Sequence, residues 1–448
     1  MKLADALNVR SRDVISLVGA GGKTSTMFQL ATELSEKGAA VLATTTTRIA
    51  IEELSLAPST IELGPDMLLP SSLEEELARQ RILFFYSTLD PDSGKVWGVS
   101  PEWVDNYLSL LPLWDYLIIE ADGSRRLPMK APLAHEPNLP TATTLLVPIV
   151  GIDALGQPLD EDHIYGAEKI MQMMGYLKGS PVTSQLMGAV LMHPALGLKD
   201  RPRGARVVPM ITQISGNTKD IARDIADSVL TDLTIDRVLL GSRDMRDPIV
   251  EARKRIGAVI LAAGESRRMG EPKMLLPWGN STIIRHVCEQ VIACRPYEVV
   301  IVAGSQFEEI RGLTSDLPVR VVFNPAYADG EMRSSLQVGL QSLWHSSDAC
   351  MVILGDQPEI QQEVMRTVLM AYHEAKGRLI APSYDHKRGH PVLIDHAFWP
   401  EIMALEPGQA PRDFIRAHDS EIYHLLVDTA TVLSDIDTPD DYQRAVGQ

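Results

Sequence analysis

Two glycine-bearing turns, each placed directly after an apolar run, restrict the fold of this chain more than any other feature of its sequence. One turn occupies residues 19–24 and the other residues 262–264. Short runs rich in β-branched residues alternate with amphipathic helical stretches in both halves, which predicts α/β architecture with largely parallel sheets. Because each turn opens its own set of strands, we expect two α/β domains, at residues 1–250 and 256–448, joined near residues 245–256.

Apolar runs bounded by turn residues give the expected secondary structure. The strands predicted for the first domain are 14–18, 39–44, 116–120, 144–150, 207–211 and 237–241. Those predicted for the second domain are 257–261, 298–302, 319–323, 350–354 and 390–394. Helices are expected between them, for example at 282–293 and 363–376.

Composition narrows the class of protein and its partners. At 448 residues the chain is too long for one ordinary core, which agrees with two domains. Its net charge of −17 repels a polyanion, so we expect no nucleic-acid partner. The three cysteines have no metal-binding spacing, and no uninterrupted apolar run approaches the roughly 18 residues of a membrane helix. These observations predict a cytoplasmic protein that does not enter a membrane.

The turn that opens the second domain has the composition of a triphosphate-binding loop. Its small residues let backbone N–H groups approach a phosphate closely. Two arginines and a lysine follow in the same segment, and such cations can neutralise the charge that develops as pyrophosphate leaves. A single arginine here would more often be a plain surface charge, but the whole segment is specific. The predicted nucleotide-binding residues are Leu261, Ala262, Ala263, Gly264, Arg267, Arg268 and Lys273, with Arg268 and Lys273 as catalytic cations.

Two aspartates are predicted to hold Mg²⁺. Asp356 follows the apolar run 350–354, at the end of a strand where α/β sheets bind their ligands, and its carboxylate is a hard oxygen ligand. Asp437 lies just before a predicted helix. A structural role is an open alternative, because strand-terminal aspartates are often helix N-caps and Thr438–Pro439 also has the pattern of a cap and a first helical residue.

Five segments of the second half together resemble one known family: LAAGESRRMGEPKMLLPW, NPAYADGEMRSSLQVGL, LGDQP, RGHPV and DIDTPDDY. In this order they resemble the molybdenum cofactor cytidylyltransferase (MocA-type) family. The resemblance implies a Rossmann-like nucleotidyltransferase domain in which the LAAG turn, Arg268 and Lys273 grip CTP, Asp356 carries Mg²⁺ and Asp437 assists. The reaction implied is transfer of CMP from CTP to molybdopterin carrying molybdenum, with release of pyrophosphate.

The same resemblance points to the acceptor and the base. Asn324, with the hydroxyls of Ser334 and Ser335 at the start of a helix, is suited to receive the phosphate of the pterin. His390 is placed to touch the pterin, although a structural histidine is about equally well supported. Guanylyl-transferring relatives typically read LAGG where this chain has Ala263, so the extra methyl group favours a pyrimidine.

The first turn reads GAGGKT and leads directly into an amphipathic helix, as in phosphate-binding turns at helix N-termini. Its lysine and threonine are placed for the β- and γ-phosphates and for Mg²⁺. It is not a complete Walker A motif, because Leu17 stands where that pattern requires glycine. The predicted nucleotide-binding residues are Gly19, Gly21, Gly22, Lys23 and Thr24.

Carboxylates at the end of the run 116–120 add to this site. Glu120 and Asp122 have the pattern of a Walker-B-like pair, and with Thr24 they are the predicted Mg²⁺ ligands. The hydroxyls of residues 44–47 follow another strand and are expected at the same edge of the sheet. The alternative is that these threonines cap a helix and the two acids are solvated.

The first half resembles the YqeC-type accessory proteins of selenium-dependent molybdenum hydroxylases, through GAGGKTS, TTTRI, EADGSRRLPMKAPLAHEPNLP, VVPMI and LGS. This resemblance implies a P-loop-like domain that binds a nucleotide, ATP or GTP, with a molybdenum hydroxylase apoenzyme as a partner. Relatives often carry an Asn-Lys-x-Asp motif suited to reading guanine near residues 208–215, and this chain does not. The sequence therefore does not decide which base the nucleotide of the first domain carries.

The leading hypothesis is a bifunctional protein that matures the molybdenum cofactor. One alternative keeps the transferase but changes the base or the acceptor, as in guanylyl transfer to molybdopterin or transfer to a sugar phosphate. Another is a cofactor chaperone that binds the dinucleotide and a hydroxylase without catalysing transfer.

Overall fold

The chain forms two compact units in the computed structural model, Met1–Arg253 and Lys254–Gln448. The structure describes residues 1–242, 248–264, 266, 268–329 and 332–447. The predicted nucleotide-binding residue Arg267 lies outside the described residues. In the described part of the chain, no helix is both long enough and apolar enough to cross a membrane.

The first unit is an α/β unit. Its strands are β1 Val14–Gly19, β2 Val41–Thr45, β3 Arg48–Ala50, β4 Thr60–Glu62, β5 Ile82–Tyr86, β6 Thr88–Asp90, β7 Lys95–Trp97, β8 Tyr116–Glu120, β9 Leu145–Gly151, β10 Arg206–Val207, β11 Met210–Ile214, β12 Val238–Ser242 and β13 Ile249–Arg253. Its α-helices are α1 Leu3–Leu7, α2 Lys23–Glu36, α3 Leu73–Gln80, α4 Pro101–Asn106, α5 Ala167–Met174, α6 Ser184–Met192 and α7 Lys219–Val229.

One large sheet carries the first unit. Its strand order is β13-β12-β11-β9-β1-β8-β2-β5-β4, with β10 paired to β9, and every pair is parallel except β12–β13. Successive residues of a strand point to opposite faces, and both faces of this sheet are buried: Ile15 and Leu17 belong to one apolar cluster, Val14 and Val18 to another. The chain winds from β1 through β2, β5 and β8 on one side, then crosses to β9, β11 and β12 on the other. The carboxyl end of β1 is therefore a switch point, where α/β sheets bind ligands.

The second unit is built around a second sheet. Its strands are β14 Ile256–Ala262, β15 Pro277–Trp278, β16 Ser281–Thr282, β17 Glu298–Ala303, β18 Arg320–Phe323, β19 Ala349–Leu354, β20 Leu379–Tyr384, β21 Lys387–Arg388, β22 Val392–Asp395 and β23 Ile422–Leu426. Its α-helices are α8 Ile283–Ile292, α9 Phe307–Leu313, α10 Met332–Leu343, α11 Gln362–His373, α12 Trp399–Met403, α13 Pro411–Ala417 and α14 Pro439–Val446.

The order of this sheet is β18-β17-β14-β19-β22-β20-β21, with β23 paired to β20. The fully buried strand β14 lies in parallel between β17 and β19, whereas β22 is antiparallel to β19. After β14 the chain winds outward through β17 and β18 and then returns to β19 on the opposite side. This Rossmann-like winding makes the carboxyl ends of β14 and β19 the ligand-binding edge.

Each run predicted as a strand contains one, with two adjustments that prolines explain. The predicted strand 207–211 is divided into β10 and β11 around Pro209, since proline has no N–H to donate to a sheet. The predicted strand 390–394 begins only at Val392, after Pro391. The buried strands β5 and β20 and the edge strands β13 and β23 were not predicted.

Candidate functional sites

Two strand ends meet closely at the ligand-binding edge of the second unit. The N–H of Gly355 donates to the carbonyl oxygen of Leu261 at 2.9 Å, which joins the turn after β19 to the end of β14. A Cβ atom at position 355 would lie 3.0 Å from that oxygen and 3.1 Å from Met274 Sδ. Glycine at 355 therefore lets the two turns pack against each other. Ala262 and Ala263 are buried beside this contact, and Gly264 is exposed.

Lys273 brings the predicted carboxylates together. Its Nζ contacts Asp356 Oδ2 and lies 3.4 Å from Asp437 Oδ1 and 3.3 Å from the carbonyl oxygen of Ile436. Lys273 is only 8% exposed. Arg268 reaches the other oxygen of Asp437 at 2.9 Å, and its side chain is 72% exposed. Four predicted site residues, from three segments far apart in sequence, thus form one cluster of two cations and two acids.

The segment that carries Asp437 is fastened to the turn after β19. The N–H of Ile436 donates to the carbonyl oxygen of Asp356 at 3.0 Å, and Gln357 Nε2 donates to Asp435. Asp435 is exposed, but partial desolvation raises its pKa, and the neighbouring carboxylates of Asp356 and Asp437 outweigh the hydrogen bond from Gln357 that acts to lower it. Sequence reasoning assigned no site role to Gln357 or Asp435, although both stand in the motifs GDQP and DID.

The helix after this segment begins as predicted. Thr438 is the N-cap of α14, its side chain accepts a hydrogen bond from the N–H of Asp441 at 3.2 Å, and Pro439 is the first helical residue. The cap fixes the direction of the chain directly after Asp437. The capping role therefore supports the carboxylate cluster and does not replace it.

The three predicted acceptor residues also lie together. Asn324 Nδ2 donates to Ser334 Oγ at 2.9 Å and to Ser335 Oγ at 3.0 Å, and all three residues are buried. These bonds fasten the loop after β18 to the first turn of α10. In this arrangement the two hydroxyls serve as acceptors within the protein, and their predicted contact with a pterin phosphate stays a prediction.

His390 is linked to the backbone of the second unit. Its backbone N–H donates to the carbonyl oxygen of Val432 at 3.0 Å. Burial lowers the pKa of its imidazole, although a hydrogen bond to the backbone of Val352 and the charge of Asp356 act to raise it. Its Nδ1 atom is buried and has no hydrogen-bond partner among the described residues, and the predicted contact of His390 with a pterin stays a prediction.

The acids of the second unit suit Mg²⁺. Within the described ranges, no group of three or more His, Cys, Asp or Glu side chains is arranged to hold a metal ion by protein atoms alone. Mg²⁺ is usually bound through one or two carboxylates together with phosphate oxygens and water. Asp356 and Asp437, which converge on one ammonium group, provide that number of carboxylates.

The turn at the end of β1 in the first unit depends on its glycines. Gly21 has φ +98°, and a Cβ there would lie 2.4 Å from the backbone nitrogen of Gly151 in β9. Thr212 Oγ1, in β11, donates to the carbonyl oxygen of Gly21 at 2.5 Å. The turn therefore packs on β9 at a distance that only glycine at position 21 permits, and a hydrogen bond ties it to β11.

This turn presents unused donors at the start of α2. The backbone N–H groups of residues 21–25 make no hydrogen bond within the described part of the chain, and the first bonded amide is that of Thr26, which donates to Gly22. Free amides at a helix N-terminus, together with the positive end of the helix dipole, form an anion-binding site. Gly22 is the N-cap in a left-handed conformation and provides no side chain to satisfy them.

A buried network of acids and lysines lies beneath the turn. Lys23 Nζ donates to the carbonyl oxygen of Gly19 at 2.7 Å and lies 3.3 Å from Asp122 and 3.7 Å from Glu120. Thr24 Oγ1 donates to Glu120 at 2.8 Å. Burial would lower the pKa of Lys23, but the carboxylates of Asp122 and Glu120 outweigh it and raise that pKa. Burial also raises the pKa of Glu120.

These contacts test the expectations for the first turn. Glu120 and Asp122 are 5% and 2% exposed, so the alternative that these acids are solvated is wrong. A threonine hydroxyl beside a carboxylate is also the arrangement that P-loop sites use for Mg²⁺. Thr24 and Glu120 fit that ion by the chemistry of their oxygens.

A cavity of about 960 Å³ opens over the phosphate turn. Thr46 and Thr47 line it, whereas Thr44 and Thr45 are buried in β2. Arg48 stacks over the ring of Trp97, with its Cζ atom 3.4 Å from the ring centroid, at the same cavity. The cavity is also lined by Lys23, Thr24, Glu120, Arg125, Arg126 and Tyr165.

Comparison with known proteins assigns each unit to a family. A family model described as YqeC protein matches residues 15–168, and a model described as MobA-like NTP transferase domain matches residues 258–422. Uncharacterized protein YqeC of Escherichia coli is 32% identical over 228 residues, which are 51% of this chain and 86% of that protein.

Two of the similar proteins match a stretch about as long as the second unit. The molybdenum cofactor cytidylyltransferase of Escherichia coli is 26% identical over 192 residues, covering 42% of this chain and 95% of the relative. The nicotine blue oxidoreductase of Paenarthrobacter nicotinovorans is 30% identical over 170 residues, covering 36% of this chain and 81% of the relative. The chain therefore belongs to the YqeC family through its first unit, and its second unit is a nucleotidyltransferase domain of the MobA-like family.

Proposed function

We propose that the second unit transfers the CMP group of CTP to molybdopterin carrying molybdenum and so makes the cytidine dinucleotide form of the cofactor. The observation that carries this proposal is the contact of Lys273 with the carboxylates of Asp356 and Asp437 at the ligand-binding edge. This cluster supplies an ammonium group and two hard carboxylates at one place. A triphosphate that reacts at its α-phosphorus needs both.

The reaction needs no covalent intermediate with the protein. A phosphate oxygen of molybdopterin attacks the α-phosphorus of CTP, the bond from that phosphorus to the bridging oxygen breaks, and pyrophosphate leaves. Lys273 and Arg268 stabilise the negative charge that moves onto the leaving pyrophosphate, and the amides of the turn after β14 orient the triphosphate. Mg²⁺, held by Asp356 and Asp437, would add positive charge at the phosphate oxygens.

Residues around the cluster support a pterin acceptor and a pyrimidine donor. The site formed by Asn324, Ser334 and Ser335 would receive the pterin phosphate, and the neutral imidazole of His390 would contact the pterin. The buried methyl group of Ala263 lies at the turn that would hold the base, and it favours cytosine over a purine. The molybdenum cofactor cytidylyltransferase of Escherichia coli, whose name denotes this reaction, is similar to this chain over 95% of its own length.

The names of the two relatives of the second unit denote different reactions, and identities of 26% and 30% do not decide between them. The residues favour transfer. Lys273, Arg268, Asp356 and Asp437 form a cluster suited to a triphosphate and a divalent cation. Transfer to a sugar phosphate, or guanylyl transfer to molybdopterin, would use the same cluster and is separated from our proposal by experiment.

In that experiment, the purified full chain is incubated with CTP labelled at the α-phosphate, Mg²⁺ and molybdenum-loaded molybdopterin. We expect labelled cytidine dinucleotide and one pyrophosphate per transfer. GTP as donor, and a sugar phosphate or methylerythritol phosphate as acceptor, are the comparison arms. Absence of CMP transfer to the pterin, or faster transfer in a comparison arm, would overturn the proposal.

We also propose that the first unit is a P-loop-like domain that binds ATP or GTP with Mg²⁺. Free amides of residues 21–25, the ammonium of Lys23 and the hydroxyl of Thr24 support it. Its role would be to assist maturation or delivery of the cofactor to a molybdenum hydroxylase apoenzyme, including selenium-dependent ones. If this is correct, ATP or GTP with Mg²⁺ raises the melting temperature of the full chain but not that of the Lys23→Met variant.

A further inference from the structure

The loop after β8 forms one wall of the first-unit cavity, and it carries two arginines that have no acidic partner among the described residues. Arg125 and Arg126 line the cavity and are exposed. No carboxylate of the described residues lies within ion-pairing distance of either guanidinium. The Cζ atom of Arg125 lies 5.2 Å from the centroid of the Tyr165 ring. Their charge is therefore available to a ligand.

The same loop offers backbone donors. The N–H groups of residues 123–126 make no hydrogen bond within the described chain, and the next amide, that of Leu127, donates to Ser124. Both arginines have positive φ, 51° and 62°, which side-chain-bearing residues rarely adopt. Such strain persists where the surroundings enforce it and is concentrated at functional sites. Residues 123–126 all line the cavity, so their amides and the two guanidinium groups lie next to the same space.

A buried lysine holds this loop in place. Lys130 Nζ donates to the carbonyl oxygen of Gly123 and lies 3.3 Å from Asp122 and 2.8 Å from Glu136. Its ammonium also lies 4.7 Å from the centroid of the Tyr165 ring. The loop therefore has a fixed position relative to Asp122, whose other oxygen faces Lys23.

The positive charges of Arg125 and Arg126 are additional to those beneath the turn at residues 19–24. The buried network holds two ammonium groups and three carboxylates (Lys23, Lys130, Glu120, Asp122 and Glu136), so it carries no spare positive charge. The turn supplies its own amides and the hydroxyl of Thr24 to one nucleotide. Arg125 and Arg126 are additional cations on a different loop. The cavity of about 960 Å³ is near the upper end of the range for small-molecule sites, about 300–1,000 Å³.

We propose that Arg125 and Arg126, with the amides of residues 123–126, form a second anion subsite that binds the phosphate or carboxylate group of a second substrate beside the nucleotide. This inference rests on the proposed nucleotide site at the phosphate turn. The first unit would then be a two-substrate enzyme domain rather than a simple nucleotide switch. Guanidinium forks match phosphate and carboxylate oxygens, which explains two adjacent arginines.

The test uses the full chain with Lys273→Ala, which removes the central cation of the second-unit site. Calorimetry measures binding of inorganic phosphate and, separately, of acetate, with a non-hydrolysable ATP or GTP analogue and Mg²⁺ at saturation. We expect one of the two anions to bind, and its identity gives the class of substrate. Arg125→Ala with Arg126→Ala should weaken that anion at least about tenfold and change nucleotide affinity by less than about threefold.

Two further variants sharpen the result. Arg79→Ala removes an exposed arginine of α3 outside the cavity and should leave anion binding unchanged. Arg125→Lys with Arg126→Lys keeps the charge and should restore part of the affinity. Loss of nucleotide affinity in the double alanine variant, or no binding of either anion to the parent chain, would overturn the inference. If the parent chain binds no nucleotide but still binds an anion through these arginines, the proposed nucleotide site fails and the anion subsite stands.

Discussion

The ammonium group of Lys273 contacts the carboxylate of Asp356 although 83 residues separate them in the chain. Neither group is free to act as an isolated charge. The pair lies at the edge of the sheet where β14 and β19 end. Under the proposed function, a triphosphate and its cation would bind between the two side chains. Changes to either residue should therefore affect transfer more strongly than folding.

Asp356→Asn tests whether the second unit catalyses CMP transfer or only binds the finished cofactor. The amide keeps the shape of the side chain but removes the charge that Mg²⁺ and Lys273 need, so we expect CMP transfer to fall about 100-fold or more. Binding of the finished dinucleotide cofactor, measured by calorimetry, should persist. The control is Asp440→Asn, an exposed aspartate of α14, which should keep full activity. Unchanged transfer in Asp356→Asn would show that Asp356 is not catalytic. Binding of the dinucleotide by a wild-type chain that transfers no CMP would support a non-catalytic chaperone.

Ala263→Gly tests the choice of base. The alanine is buried at the turn after β14, and removal of its methyl group should enlarge the space for a base. We expect the ratio of CTP to GTP use, measured as kcat/KM, to fall by about tenfold, the order expected for one methyl group in a tight pocket. An unchanged ratio would mean that selection of the base lies elsewhere.

Asp435→Asn tests the electrostatics of the acidic cluster. The pKa of Asp435 is raised in the folded protein by partial desolvation and by two neighbouring carboxylates. A raised carboxyl pKa stabilises the fold below the unfolded pKa, and that contribution is lost as pH rises through the folded pKa. The asparagine variant should therefore be more stable than the wild type at neutral pH, with Gln357 still able to donate to its oxygen.

The difference should shrink as pH falls below the raised pKa, because the wild-type carboxyl then also becomes neutral. Urea unfolding at a series of pH values measures it. A stability gain that does not change between neutral and acidic pH would show that the titration of Asp435 is not the cause.

Two glycines of the first turn form a matched pair. Gly21→Ala places a Cβ 2.4 Å from the nitrogen of Gly151, so it should cost about 3 kcal/mol or more from strain and overpacking and should abolish nucleotide binding. Gly22→Ala meets no atom within 4 Å and should cost only the left-handed backbone penalty, about 1–2 kcal/mol. Urea unfolding and nucleotide titration of both variants measure the two effects. Equal losses would contradict the close packing of Gly21 on β9.

The strands that could be predicted are those with apolar runs between turn residues. β1, β8, β14 and β19 are continuous apolar segments with near-complete burial, so local composition identifies them. The buried strand β5, with the sequence ILFFY, was not predicted. A short apolar run of this kind does not by itself distinguish a strand from a buried helical segment. β23, with the sequence IYHLL, is also a short apolar run, although only one of its residues is buried. Its pairing with β20 is a tertiary contact that sequence does not encode locally.

For the site residues too, local motifs could be predicted from the sequence, whereas tertiary contacts could not. Sequence predicted that Lys273, Asp356 and Asp437 would act together, because motifs after strands meet at one sheet edge. It did not reveal that Asn324 would occupy both serine hydroxyls, since that contact depends on how the loop after β18 folds onto α10. The unpaired state of Arg125 and Arg126 was equally hidden, because partners are defined only by packing.

The bond from Thr212 to the carbonyl of Gly21 has a consequence for binding kinetics. Because the turn packs on β9 and is hydrogen-bonded to β11, it is already assembled before any nucleotide arrives. A ligand then meets a rigid cradle and loses little affinity to the ordering of a loop. Association should proceed in one step limited by diffusion and orientation, and differences among nucleotides should be found in how long each remains bound.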